Sequence, residues 1–185
     1  MSIPVQILIC PWEQIGNADE TILSLGRQFA DQYGFCIPDK IVRPANAKPC
    51  FAGSEIFFSV SHSGSYWTCA VSNAQLGIDL QRYQTCRMEW IAKRFFHPNE
   101  AAWIKDRGQE AFFLVWTAKE SYVKFTGEGI TDDFAAFSVV DDKGNMNVCN
   151  HAVLQHIPFQ ENYALCICTP EKADVKIIDQ EKQRA

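Results

Sequence analysis

The sequence predicts an α+β fold of two similar lobes, each with helices packed on a small, mainly antiparallel sheet. Three observations lead to it. Residues 1–83 run strand, helix, then three closely spaced strands; residues 84–185 run helices first and antiparallel strands after; and residues 82–85 form a polar connector between the two stretches. No short repeat links the halves, which read as crude structural copies. The residues able to do chemistry gather where the lobes would meet, so the site is expected at their interface.

In chain order, residues 3–9 (IPVQILI) read as a first strand. Asn17 or Asp19 is placed to cap a helix running to about Tyr33, with Ile22, Leu25, Phe29 and Ala18 inward and Gly34 as its stop. Residues 37–49 hold three prolines and read as irregular. Residues 55–61 (EIFFSVS) and 65–72 (SYWTCAVS) are strands joined by a tight turn at His62-Ser63-Gly64, and residues 74–80 supply a third strand leading into Asp79. Residues 87–95 read as a helix, and His97-Pro98-Asn99-Glu100 opens another, with proline where a first helical turn tolerates it. The run FFLVWTAKESYVKF (residues 112–125) is the central helix, ending near Gly127 and Gly129. Leu114, Val115, Ala118 and Tyr122 recur at its core-facing spacing, while Trp116, Glu120 and Lys124 share another flank with Lys119 beside it. Strands are expected around residues 134–140, 145–149, 152–157, 163–168 and 175–178.

Composition narrows the function classes. The chain has 185 residues, 47% hydrophobic and 21% charged, enough for a substantial core. A net charge of −5 argues against a general nucleic-acid binder. Residues 82–124 are nonetheless mildly basic, with eight Lys/Arg against five Asp/Glu, which suits an acidic ligand or partner. No segment has the apolar length of a membrane span, and the opening MSIPVQILICPWE reads as a strand rather than a signal peptide. The eight cysteines are scattered, without a CxxC pair. Most sit in apolar strings such as YWTCAV and ALCICT, so they read as buried thiols in a reducing cytoplasm.

Asp79 ends a strand behind Gly77, and Glu120 comes from a helix of the other half. Two carboxylates converging at a lobe interface are the minimum for holding magnesium, a hard cation that takes oxygen ligands and keeps waters for a phosphate substrate. Lys119 and Lys124 would bring positive charge to phosphate oxygens beside it. By itself, Glu120 with Lys124 is an ordinary helix-surface pair worth a few tenths of a kcal/mol. His62 offers a donor at a strand end, or else bonds its own turn. Glu100 is by default an acid at a helix start, and becomes a base only if it faces the cleft. His97 reads as a capping residue alone.

SVSHSG (59–64), LGIDL (76–80), AKRFFHPNE (92–100) and FLVWTAKESYVKFTGEG (113–129), in this order and spacing, resemble the 4′-phosphopantetheinyl transferases, and within them the pseudodimeric, surfactin-type class. The resemblance implies transfer of the phosphopantetheine arm of coenzyme A onto a serine of an acyl- or peptidyl-carrier protein, with magnesium and release of 3′,5′-ADP, as in a holo-[acyl-carrier-protein] synthase. By motif, Asp79 and Glu120 match the metal-binding acids, and Lys119 and Lys124 the lysines near the diphosphate. Glu100 matches an acid proposed as base or metal-side ligand, and Ser61 and His62 match a coenzyme phosphate contact. Ala47-Lys48-Pro49 resembles a turn whose lysine meets the coenzyme. Two fused lobes would make a second subunit unnecessary for the site, so a monomer is expected, in the reducing cytoplasm that the thiols suggest.

Two features depart from the family. Many members carry a third acid two residues past the aspartate, where this chain has Gln81, a neutral ligand by its amide oxygen. The helix start that holds the coenzyme's 3′-phosphate often carries an arginine before its threonine. Here it reads Asn17 to Thr21 with Glu20 in that place, leaving Thr21 and Arg27 as candidates. These departures motivate two alternatives: a non-catalytic module binding coenzyme A or a carrier domain, and a magnesium-dependent phosphopantetheine hydrolase.

Overall fold

A computed structural model describes residues 2–45, 47–127, 132–146, 149 and 151–179. Strand β1 (Ile3–Pro11) leads to helix α1 (Ala18–Tyr33), followed by the two-residue strands β2 (Ile41–Val42) and β3 (Cys50–Phe51), which pair with each other. Next come β4 (Phe57–Ser63), β5 (Tyr66–Ser72) and β6 (Gly77–Arg82). Helices α2 (Met88–Phe95), α3 (Pro98–Lys105) and α4 (Gly108–Thr126) precede β7 (Val153–His156), β8 (Tyr163–Thr169) and β9 (Ala173–Asp179). The main sheet has the order β4-β5-β1-β9, and a second has the order β6-β8-β7.

The helix boundaries follow local chemistry. Asn17 caps α1 by accepting from the amides of Asp19 (3.0 Å) and Glu20 (3.4 Å), and Gly34 ends it in the left-handed conformation at φ 75°. His97 caps α3, its Nδ1 accepting from the Asn99 amide at 3.2 Å, while Glu100 accepts from the His97 amide at 2.9 Å. This is the capping role expected of His97.

Alternation along the strands builds the layers. On one face of the main sheet Leu8, Cys10, Phe58, Trp67 and Val71 pack on Ile22, Leu25 and Phe29 of α1. On the other face Val5, Ile7 and Ala70 meet Ile78 and Leu80 of β6 and Leu165 and Ile167 of β8. The far side of the second sheet, through Leu154, Ala164, Cys166 and Cys168, packs on α4, which α2 and α3 flank. The order is thus helix, sheet, sheet, helices. Cys10, Cys69, Cys166 and Cys168 are buried thiols inside these layers.

Several expected elements differ. The strand from Gly77 does not extend the β4–β5 sheet; it pairs with β8, because Ile78 and Leu80 fill the layer between sheets. β9 pairs parallel with β1, the one parallel pair among the described, mainly antiparallel strands, and joins the sheet of the first half rather than that of the second. His62 lies inside β4, opposite Trp67, and the turn falls later, at Gly64 and Ser65. Residues 134–140 form no strand. A short 3₁₀ turn (Asp132–Ala135) leads to an isolated bridge between Val140 and Met146. Its side chains point into the α4 layer rather than into a ladder, Phe134 and Val139 both being buried there. Gly129 and residues 147–148 of the expected 145–149 strand lie outside the described residues. No helix among the described residues is long and apolar enough to cross a membrane.

At Gly77 the strand β6 meets α4 directly. A Cβ on Gly77 would overlap the Ser121 carbonyl oxygen and come within 2.5 Å of the Phe125 amide nitrogen, so strand and helix touch backbone to backbone. The glycine admits the helix rather than opening access to the site. Gly77→Ala should therefore destabilise the protein by more than about 3 kcal/mol, above the usual overpacking range of about 1–3 kcal/mol, since backbone cannot rotate away as a side chain can. Urea unfolding measures it, and an unchanged midpoint would contradict the contact.

Candidate functional site

β6 alternates, with Ile78 and Leu80 facing the inter-sheet core and Asp79 facing α4. Asp79 is 5% exposed. Its Oδ1 accepts from Ser61 Oγ at 2.8 Å and from Lys124 Nζ at 2.7 Å. Its Oδ2, equally buried, has no hydrogen-bond partner among the described residues. A buried carboxylate oxygen without a donor is costly unless something positive meets it. Burial pushes the Asp79 carboxyl above its ordinary range, against the pull of Lys124 and Ser61.

Glu120, half-buried one helical turn before Lys124, feels the same site. Burial first, and the Asp79 charge second, push its carboxyl up to about 7. Two acids that resist ionising together beside an orphaned oxygen form a donor set that suits a hard divalent cation. Gln81 follows Asp79 by two residues on the same strand, and its amide nitrogen donates to the Arg82 carbonyl at 3.4 Å. Among the described residues no third His, Cys, Asp or Glu joins the pair.

Lys48 reaches this corner from the loop before β3. Its Nζ donates to the Leu76 carbonyl at 2.8 Å and its stem lies against Gly127. Burial pushes its ammonium down to about 8, with Lys124 adding repulsion. Lys48 and Lys124 thus bring two cations to the side of Asp79 and Glu120.

Glu100 and Lys119 stand apart from that cluster. Both side chains are fully buried, and they pair with each other at 3.0 Å. Glu100 also accepts from the amides of His97 (2.9 Å) and Val139 (2.8 Å), while Lys119 donates to the Phe137 carbonyl at 2.6 Å and lies 3.9 Å from the Phe137 ring centroid. Lys119 was expected on the flank of Glu120; helix rotation places it in the core instead, and Trp116, Glu120 and Lys124 line the half-buried flank.

The remaining expected residues lie elsewhere. His62 is exposed and its ring sits 4.8 Å from that of Trp12, on the opposite strand face from Ser61. The Thr21 hydroxyl donates to the carbonyls of Ile15 and Asn17, at 3.1 and 3.0 Å, beside a groove of about 420 Å³ whose lining includes Glu20 and, among the described residues, no basic one. Arg27 donates from Nε to the Pro38 carbonyl at 3.2 Å.

Sequence reasoning missed a serine ladder. Ser59, Ser61 and Ser63 accept from the amides of Ile78 (3.1 Å), Leu80 (3.1 Å) and Arg82 (2.9 Å). Three β4 hydroxyls thereby satisfy the open edge of β6 and fix Asp79 in height. The signal was the Ser-x-Ser-x-Ser alternation of SVSHS, which puts all three on one strand face.

Residues 75–168 match the 4′-phosphopantetheinyl transferase superfamily. The chain is 40% identical over 84 residues to the 4′-phosphopantetheinyl transferase gsp of Aneurinibacillus migulanus, covering 43% of this chain and 35% of that protein. It is 35% identical over 97 residues to the transferase Sfp of Bacillus subtilis, covering 50% and 43% of the two chains. To the transferase psf-1 of Bacillus pumilus it is 28% identical over 145 residues, 72% of this chain and 62% of that one. The matched stretches span 35%, 43% and 62% of these three relatives' own lengths, less than two thirds of each. The match contains β6 with Asp79, the three helices with the Glu100–Lys119 pair, and the Glu120–Lys124 flank, and this chain belongs to the 4′-phosphopantetheinyl transferase superfamily.

Proposed function

We propose that this protein transfers the phosphopantetheine arm of coenzyme A onto a serine hydroxyl of an acyl- or peptidyl-carrier protein, releasing 3′,5′-ADP. The observation that carries the reading is the unpartnered Asp79 Oδ2 facing α4 beside Glu120, with Lys48 and Lys124 alongside. Asp79 and Glu120, with the Gln81 amide oxygen as a neutral third donor, would hold magnesium. When bound, the ion would neutralise diphosphate oxygens. Lys48 and Lys124 would hold the negative charge of the diphosphate and of the departing nucleotide, with His62 as a further donor at the coenzyme's edge.

In the reaction the serine oxygen bonds to the β-phosphorus, the bridge to the nucleotide breaks with its electron pair, and a carboxylate accepts the serine proton directly or through water. Glu120, which is half-open to solvent, would accept that proton directly or through a water. Glu100 would first have to give up two backbone amides and Lys119. We therefore assign Glu100 and Lys119 to positioning, as a buried tie that holds residues 137–139 against α3 and α4. Ser61 orients Asp79, and Thr21, its hydroxyl committed to backbone, lines the groove by α1.

We further place the protein as a monomer in a reducing cytoplasm, a reading its buried thiols support. The two-lobe division at residue 83 finds support in α1 and α4 each backing one sheet, with β6 and β9 each crossing it to pair in the other half's sheet. A binding module without transfer is the second reading, and the feature favouring it is that among the described residues two carboxylates gather here rather than three.

Intact mass of an apo carrier protein after incubation with this protein, coenzyme A and magnesium tests the proposal. One phosphopantetheine arm should be gained, none with EDTA, and none with Glu120→Gln. Coenzyme A binding without any gain would favour the binding module. A second prediction concerns stability without metal. The Glu120 carboxyl is raised from 4.5 to about 7, so its favourable contribution is complete below about pH 4.5 and is lost as pH rises through about 7. The melting temperature of Glu120→Gln minus that of wild type should therefore increase across this window and level off above it. A flat difference would contradict the shared burial of the two acids. Lys48, pushed down only to about 8, titrates above the window.

A further inference from the structure

Three lysines of this region hold their ammonium groups in different ways. Lys119 is fully buried on Glu100 and the Phe137 carbonyl, with no path to another partner. Lys48 donates to a backbone carbonyl, that of Leu76. Lys124 instead pairs with one of the two acids assigned to the metal. Its Nζ lies 2.7 Å from Asp79 Oδ1, its one hydrogen bond among the described residues.

The pair is uneven. The Lys124 side chain is 28% exposed against 8% for Asp79, so the lysine can leave toward solvent where the carboxylate cannot follow. The helix backbone is held. A Cβ on Gly77 would lie 3.0 Å from the Lys124 carbonyl carbon, and the Gln75 amide donates to the Phe125 carbonyl. Only the four-carbon stem is free to swing, which is a change of rotamer and not of fold.

Asp79 carries a single charge. A divalent ion at the unpartnered Oδ2 would stand beside an ammonium on Oδ1 of the same carboxylate. Like charges that close, in a buried place with little screening, oppose one another. A phosphate anion beside them removes the conflict, because it offers Lys124 a stronger partner and leaves Asp79 to the cation.

We propose that Lys124 is an exchangeable counter-ion that couples the cation to the diphosphate. In the empty site it neutralises Asp79 and restrains divalent-cation binding. When a diphosphate enters, Lys124 moves to its oxygens and the restraint on the cation is lifted. Each ligand then tightens the other by the same factor. Lys124 is in this respect a positioning residue. The proposal rests on the magnesium reading of Asp79 and Glu120, and on the transferase reading for the identity of the diphosphate.

Calorimetric titration of magnesium into wild-type, Lys124→Met and Lys48→Met protein, without and with saturating coenzyme A, tests it. Without coenzyme A, Lys124→Met should bind the ion about tenfold more tightly than wild type, and Lys48→Met within about twofold of it. Coenzyme A should tighten magnesium binding by a larger factor in wild type than in Lys124→Met. Lys124→Gln, which keeps a donor to Asp79 without the charge, should behave as Lys124→Met does, so a methionine variant that fails to fold leaves the test intact. Equal affinity in wild type and the Lys124 variants would overturn the exchange and leave the metal reading standing. Equal tightening in Lys48→Met would also overturn it, the effect then being one of general charge. No magnesium binding by any of the proteins would remove the exchange and the metal reading together. Tighter binding in the Lys124 variants with no response to coenzyme A would keep the counter-ion and remove the transferase reading.

Discussion

The backbone contact between Gly77 and α4 at Ser121–Phe125 is the constraint on which the site depends. At ordinary strand-to-helix spacing, side chains would separate β6 from α4. With no side chain at Gly77, Asp79 arrives two residues later within hydrogen-bond reach of Lys124. The same approach places Asp79 and Glu120 close enough to perturb one another. The serine ladder from β4 acts from the other side and fixes the height of β6. Neither device touches a substrate, yet both determine where the acids stand.

The two buried charge groups show different physics. In the Glu100–Lys119 pair both charges find each other, and Glu100 gains two backbone amides while Lys119 gains a carbonyl and the face of Phe137. Such a pair offsets much of the cost of leaving water, and breaking it by removing one partner is the expensive change. Around Asp79 the balance is left open. One oxygen takes two donors, the other none among the described residues, and burial raises the neighbouring Glu120 carboxyl to about 7. A satisfied network fixes structure, whereas an unsatisfied one is poised for a ligand.

Much of this was legible in the sequence, and what was not has physical reasons. The caps at Asn17, Gly34 and His97, and the half-buried flank of Trp116, Glu120 and Lys124, follow from local rules that act within one helix. The partner of β6 was not legible, because Ile78 and Leu80 fit any apolar layer and pairing is decided by long-range packing. Residues 134–140 read as a strand from their apolar content, but Phe134 and Val139 serve the α4 layer instead of a ladder. Lys119 and Glu120 are adjacent in sequence, and about 100° of helix rotation separates a core lysine from a site carboxylate. That rotation is visible only once the position of Glu100 is known. Ser61 and His62 likewise diverge, one onto Asp79 and the other onto Trp12.

The central claim is that Asp79 and Glu120 form a divalent-cation site made by the close approach of β6 to α4. Calorimetric titration of magnesium into the protein without coenzyme A or carrier tests it most directly. The account predicts one ion bound per chain, with binding lost in Asp79→Asn and in Glu120→Gln while both variants keep a cooperative melt. Magnesium binding of undiminished affinity in either variant would contradict it, as would the absence of any binding by the wild-type protein.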